Sequence, residues 1–159
     1  MTGISLQLMI LGYVLVAALL GALIGFEREM SDKPAGIRTH ALVGGAAALL
    51  VALGEVLVNT TPLRGNNLNA DPVRIVEAIV AGVSFLGAGT ILRRGGQMEV
   101  EGLTTAASLL FAAVIGISVG AHRLILAAGA TVLVLIILRS GAWVGQRRDS
   151  QKSAANQEE

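Results

Sequence analysis

Cysteine is absent from the 159 residues, which removes disulfides, thiolate metal sites and thiol nucleophiles. Aromatic residues make up only 3% of the chain, which argues against a large aromatic-lined ligand pocket. Charged residues are also scarce, at 14%, and nearly balanced, with a formal net charge of +1. No basic stripe interleaved with aromatics is present, so no nucleic-acid partner is expected. The chain also lacks a phosphate-binding glycine loop with its lysine and a metal-spaced pair of histidines. No nucleophile stands with a base and an orienting group. An ATP-driven pump is thereby excluded, no catalytic residue is assigned, and enzyme activity is not expected.

What the chain does have is apolar sequence in long blocks. It is 53% hydrophobic, with a mean hydropathy of +0.70. The uncharged runs are Leu6–Phe26, Thr39–Leu53, Ala78–Leu92, Leu103–Ala121 and Leu124–Leu138. A helix needs roughly 20 mostly apolar residues to cross a bilayer, within a range of about 17–25. The first and fourth runs qualify directly. The second reaches that length through Glu55 to Val58, and the third by starting near Arg74. The fifth is short unless it draws on Gly141–Val144, with Trp143 at the interface. The first run lacks a basic flank and is too long for a signal peptide, so it is read as a retained helix. The expectation is an all-α, polytopic transmembrane bundle of about five spanning helices, covering residues 1–144. Residues 145–159 read as a polar cytoplasmic tail without ordered structure.

Lys and Arg set the orientation. Loop 27–38, loop 93–102 and the C-terminal segment share one side and carry most of the basic residues, including Arg28, Arg38, Arg93, Arg94, Arg139 and Arg147. Arg64, Arg74 and Arg123 fall on the other. An outside N-terminus and a cytoplasmic C-terminus are therefore expected. Loop 59–73 is rich in Asn, Pro and Gly, and Asn59-Thr60-Thr61 matches a glycosylation acceptor by pattern alone. Asp71-Pro72 reads as an N-cap followed by a first-turn proline. A faint internal repeat lays Gly21-Ala22 … Gly36-Ile37 over Gly87-Ala88 … Gly102-Leu103, as two parallel hairpins with a fifth helix appended.

Small residues recur at four-residue spacing, as Ala17, Gly21 and Gly25, and again as Ala112, Gly116 and Gly120. Such stripes let helices approach closely in lipid, within one chain or across a homodimer. Gly82, Gly87 and Gly89 crowd a third stretch. Two readings stay open there: an ordinary packed helix, or a local unwinding that exposes carbonyls to an ion.

Charges gather near the two membrane faces. On the cytoplasmic side lie Glu27, Arg28, Glu29, Asp32, Arg38 and His40, joined by Thr39 and by Arg93, Arg94, Thr104 and Thr105. On the other lie Glu55, Asp71, Arg74 and Glu77, with Arg74 and Glu77 spaced to pair on one helical face. Carboxylates suit a hard cation such as Mg²⁺, with Glu27 and Asp32 inside and Asp71 and Glu77 outside as candidates. Nearby arginines weaken that reading in favour of interfacial anchors and ion pairs. No resident cofactor is expected, Mg²⁺ being the one ion these carboxylates suggest.

The strings themselves carry a resemblance. Gly21-Ala22-Leu23-Ile24-Gly25-Phe26-Glu27-Arg28-Glu29 precedes Pro34-Ala35-Gly36-Ile37-Arg38-Thr39-His40-Ala41-Leu42-Val43-Gly44. Asp71-Pro72-Val73-Arg74 leads to Gly82-Val83-Ser84-Phe85-Leu86-Gly87-Ala88-Gly89-Thr90-Ile91, and then to Gly102-Leu103-Thr104-Thr105-Ala106-Ala107-Ser108. In this order they resemble the signature of the MgtC/SapB membrane protein family. The resemblance implies a bacterial inner-membrane protein associated with adaptation to magnesium limitation and, in pathogens, with virulence. Some members are thought to act on the F-type ATP synthase or other membrane proteins. Older names call them magnesium transporters, although transport is not an established family activity. Longer members carry a soluble cytoplasmic domain after the last helix, and this chain resembles the short, SapB-like form.

The expected function is a non-enzymatic regulator that binds other membrane proteins through small-residue faces, Gly21 and Gly25 among them. The alternative is a small divalent-cation channel or carrier. The candidate functional residues are Glu27, Arg28, Arg38, Thr39, His40, Asp71, Arg74, Glu77, Thr104 and Thr105. The candidate packing positions are Gly21, Gly25, Gly82, Gly87, Gly89 and Gly116.

Overall fold

A computed structural model describes residues 3–60, 71–93 and 100–155. The chain forms five helices: α1 Gly3–Met30, α2 Ile37–Thr60, α3 Pro72–Thr90, α4 Leu103–Gly120 and α5 Leu124–Ala155. The first four are long and apolar enough to cross a membrane. The apolar part of α5, Leu124–Ser140, is 17 residues long, at the short end of the spanning range. The all-α transmembrane architecture expected from the apolar runs is present.

Local chemistry sets the helix ends. At the end of α1, Asp32 adopts a left-handed conformation with φ 52°. Its amide bonds to the Glu29 carbonyl, and the Lys33 amide reaches back to the Arg28 carbonyl, at 3.1 and 3.0 Å. This is a Schellman stop, and Pro34 then prevents the helix from resuming. Asp32 is thus a helix terminator and is exposed. His122 repeats the geometry after α4, with φ 61° and with Arg123 bonding back to the Ser118 carbonyl at 2.8 Å. Asp71 caps α3 as expected, accepting from the Val73 amide at 2.9 Å, with Pro72 in the first turn.

Of the two readings left open for the glycines of α3, the ordinary helix is the one present, continuous from Pro72 to Thr90. The connection between α3 and α4 contains a two-residue antiparallel ladder, Leu92–Arg93 against Val100–Glu101, that the hydropathy pattern gave no reason to expect. Helical backbone in α5 continues to Ala155. Most of the turn-rich loop over 59–73, Thr61 of the glycosylation pattern, Arg94 and residues 156–159 lie outside the described residues.

Helix α4 occupies the centre and packs against each of the other four. One buried cluster joins α1, α2, α4 and α5 through Ala17, Ile24, Ala48, Ile115, Val119 and Val134. A second joins α2, α3 and α4 through Val43, Ala47, Ile79, Val83, Leu109 and Ala113. Large apolar side chains instead face outward, among them Leu8, Leu15, Phe85 and Ile125. That inversion fits a lipid environment, where apolar side chains gain little from leaving the tails and close backbone approach drives association.

Glycine sets those approaches. A methyl added at Gly120 would stand 2.9 Å from the Ala48 carbonyl oxygen, and one at Gly116 would collide with the Gly44 carbonyl. Gly21 abuts the backbone of His40 and Ala41, while Gly25 abuts Gly36 and Ile37. The repeat is visible in these contacts. Gly87 meets Ala106 as Gly21 meets His40, and Gly102 meets Ile91 as Gly36 meets Gly25. Gly102 also has φ 95°, a conformation that a side chain would strain.

Candidate functional site

The turn between α1 and α2 brings the charged end of one helix beside the start of the next. Glu29 accepts a hydrogen bond from the Ile37 amide at 3.0 Å, placing a carboxylate where the dipole of α2 favours negative charge. One turn into α2, His40 is fully buried. Its Nδ1–H donates to the Gly36 carbonyl at 3.0 Å, and its Nε2 lies 2.9 Å from the Ser108 hydroxyl of α4. Ser108 also lies 2.8 Å from the Thr105 carbonyl, which can only accept.

These distances allow two hydrogen-bond patterns. With a neutral ring protonated on Nδ1, the single Ser108 proton serves either Nε2 or the Thr105 carbonyl, and the other acceptor goes without it. With both ring nitrogens protonated, Nε2 donates to Ser108 and the hydroxyl donates to Thr105, so every contact is made.

Arg28 enters the same region from α1. It is 4% exposed, and its Nη2 lies 3.4 Å from the Thr105 hydroxyl. Its Nη1 lies 3.8 Å from a carboxylate oxygen of Glu27. That separation is well beyond the roughly 2.7–2.9 Å of a charge-assisted hydrogen bond, so the pair is loose. The other Glu27 oxygen accepts from Ser31 at 3.1 Å. Glu27 Oε2 and Arg28 Nε are buried with no hydrogen-bond partner among the described residues.

The sequence candidates therefore separate. Glu27, Arg28, His40 and Thr105 are drawn together across α1, α2 and α4. Arg38, Thr39 and Thr104 are exposed and stand outside this network. Asp71 is committed to capping α3. Arg74 and Glu77 are both exposed, and among the described residues no ion pair within 4.0 Å joins them, contrary to the pairing expected from their spacing. Among the described residues no three His, Asp or Glu side chains gather as a metal centre would require. The carboxylates Glu27, Asp32, Asp71 and Glu77 are accordingly distributed among an ion pair, a helix stop, a cap and an exposed helix face.

The packing candidates separate as well. Gly21, Gly25, Gly87 and Gly116 sit in helix contacts within the chain, whereas Gly82 and Gly89 have nothing within 4 Å. Gly21 and Gly25 are covered by α2, which corrects the expectation that these two glycines face a partner protein.

Sequence reasoning missed Ser108 and His122. Ser108 lies three residues after Thr105 in a helix without charged residues, which places the two on one face, and that spacing was the available signal. His122 lies 3.7 Å from Glu55 and packs edge-on against Tyr13, with ring centroids 4.6 Å apart. No local pattern links those three residues. Glu55 also lines a cavity of about 580 Å³ between α2, α3 and α4, with Asp71 and Arg74 at its rim.

Comparison with known proteins places this arrangement. The family model described as MgtC family matches residues 14–147. The protein named Protein MgtC from Salmonella typhimurium is 42% identical over 132 residues, covering 81% of this chain and 52% of that protein. Protein MgtC from Brucella abortus is 39% identical over 121 residues, covering 76% and 46%. An uncharacterized protein of Haemophilus influenzae is 33% identical over 154 residues, covering 94% and 64%. The chain thus spans between 46% and 64% of the length of these curated relatives. No solved structure matches it. With a buried polar junction inside the matched region and four helices fit to cross a bilayer, this chain is a membrane protein that belongs to the MgtC family.

Proposed function

We propose that this chain is a non-enzymatic regulator of other membrane proteins, serving magnesium homeostasis or stress adaptation in the bacterial inner membrane. In this reading its N-terminus is outside and its C-terminus cytoplasmic, and its targets are integral membrane proteins such as the F-type ATP synthase. The observation that carries it is the bonding of the polar junction from helix to helix. Intramembrane ionisable groups either pair with one another or line a pathway. Here His40, Ser108, Thr105 and Arg28 bond across three helices, as expected of a scaffold. Helix α3, meanwhile, holds Gly82, Phe85 and Gly89 outward, an apolar face with small residues on either side of one aromatic knob, on which another transmembrane helix, from a target or a second copy, can lie.

The second reading, a divalent-cation channel, draws on the cavity bearing Glu55 and Asp71. Purified protein in proteoliposomes under a Mg²⁺ gradient distinguishes the two. The regulator produces no flux above empty vesicles. Flux that falls in Glu55→Gln would replace this reading with the channel.

A further inference from the structure

A groove of about 370 Å³ runs between α1 and α5, where their apolar segments end. Phe26 and Met30 form part of one wall and Leu135 faces them; Glu27, Ser31 and Arg139 supply the polar edge. We propose that this groove binds a phospholipid with an ethanolamine headgroup, its ammonium on Glu27 and its phosphate on Arg139. The proposal is independent of whether the chain regulates or conducts.

Three observations support it. The first is depth: Glu27 is the first charged residue after the long apolar run of α1, and Arg139 the first after that of α5. Both therefore lie at headgroup level, with apolar wall extending inward for an acyl chain. The second is the state of Glu27. Ser31 gives Oε1 a single hydrogen bond. Oε2 is buried, with the Arg28 guanidinium 3.8 Å away and also reaching Thr105, so Oε1 is the oxygen left for a headgroup. Its charge is thus incompletely met. The third is Arg139, which lines the same hollow yet forms no ion pair within 4.0 Å among the described residues, with Glu27 or any other acid. A carboxylate and a guanidinium that face one groove without pairing are complementary to a zwitterion. The ethanolamine ammonium donates hydrogen bonds; a choline headgroup has no N–H to offer, and a glycerol headgroup has no cation.

The test is native mass spectrometry of the full chain purified in detergent. Phosphatidylethanolamine, phosphatidylcholine and phosphatidylglycerol with matched acyl chains are titrated separately. The ethanolamine lipid should bind about tenfold more tightly than the other two, the scale of one charge-assisted hydrogen bond. Glu27→Gln should remove that preference, Arg139→Gln should weaken binding of all three lipids alike, and Arg123→Gln, at the opposite ends of the helices, should leave both affinity and preference as they are. Leu135→Trp fills the groove without changing charge and should reduce binding of all three lipids, so the proposal stays testable if Glu27→Gln fails to fold. Equal binding of the three lipids by the unaltered protein overturns the proposal. A preference that survives Glu27→Gln, binding unchanged in Arg139→Gln, or binding unchanged in Leu135→Trp also overturns it.

Discussion

His40 in α2 and Ser108 in α4 stand 2.9 Å apart through Nε2 and Oγ, at a site where His40 is fully buried. This contact ties the first helical hairpin to the central helix. A buried hydrogen bond contributes modestly when made, but leaving one partner unsatisfied is more costly. In a bilayer the unfolded reference state also finds partners for polar groups, which lowers the expected size.

Replacing His40 by Ala should therefore lower stability by about 1–3 kcal/mol, and Ser108→Ala by about 1 kcal/mol. Because the two touch, the double variant should lose less than the sum, with a coupling of at least about 0.5 kcal/mol. Thermal unfolding in detergent measures all three. Additive losses would show that the contact is not made.

Arg28 and Glu27 are nearly buried, at 5% and 13% side-chain exposure, and are loosely paired. Arg28→Leu strands the Glu27 carboxylate and should cost about 3 kcal/mol, near the lower bound for breaking a buried pair. Adding Glu27→Gln should restore part of that loss, because no unpaired charge then remains. A double variant less stable than Arg28→Leu alone would contradict this assignment.

The glycines of α4 and α3 should behave oppositely. At Gly116 a methyl collides with the Gly44 carbonyl and stands 2.9 Å from the Ala47 side chain, so Gly116→Ala should destabilise by about 1–3 kcal/mol. At Gly82 nothing lies within 4 Å, so Gly82→Ala should be neutral or stabilise by up to about 1 kcal/mol through helix propensity. Denaturation of the two single variants side by side reads the contrast, and equal effects would place both glycines in the same environment.

Gly102 combines φ 95° with close approach to the Thr90 carbonyl. Gly102→Ala should cost about 1–3 kcal/mol through backbone strain, with the steric contact adding to it. Since Gly102 precedes α4, the defect should appear first as faster hydrogen exchange in the opening turn of that helix. Exchange unchanged there would mean that the turn adapts freely.

Much of this was legible in one dimension. The apolar runs sufficed for the helices because crossing a bilayer demands uninterrupted length and internal satisfaction of every backbone group. Asp71-Pro72 was readable as a helix start because capping is chemistry between neighbours. The two left-handed stops at Asp32 and His122 were not, since neither residue is the glycine usually found there.

The sequence alone determined that this chain is a helical membrane protein and which residues bear charge near its faces. Only the tertiary structure decided which of them meet. Arg28, His40 and the neighbours Thr105 and Ser108 stand on three different helices, and they converge because Gly21, Gly25, Gly44 and Gly116 let α1, α2 and α4 approach almost backbone to backbone. It also decided that Gly82 and Gly89, alike in sequence to the others, stay outside those seams. Composition records that a glycine is small; only the path of the neighbouring helix determines whether its smallness is used.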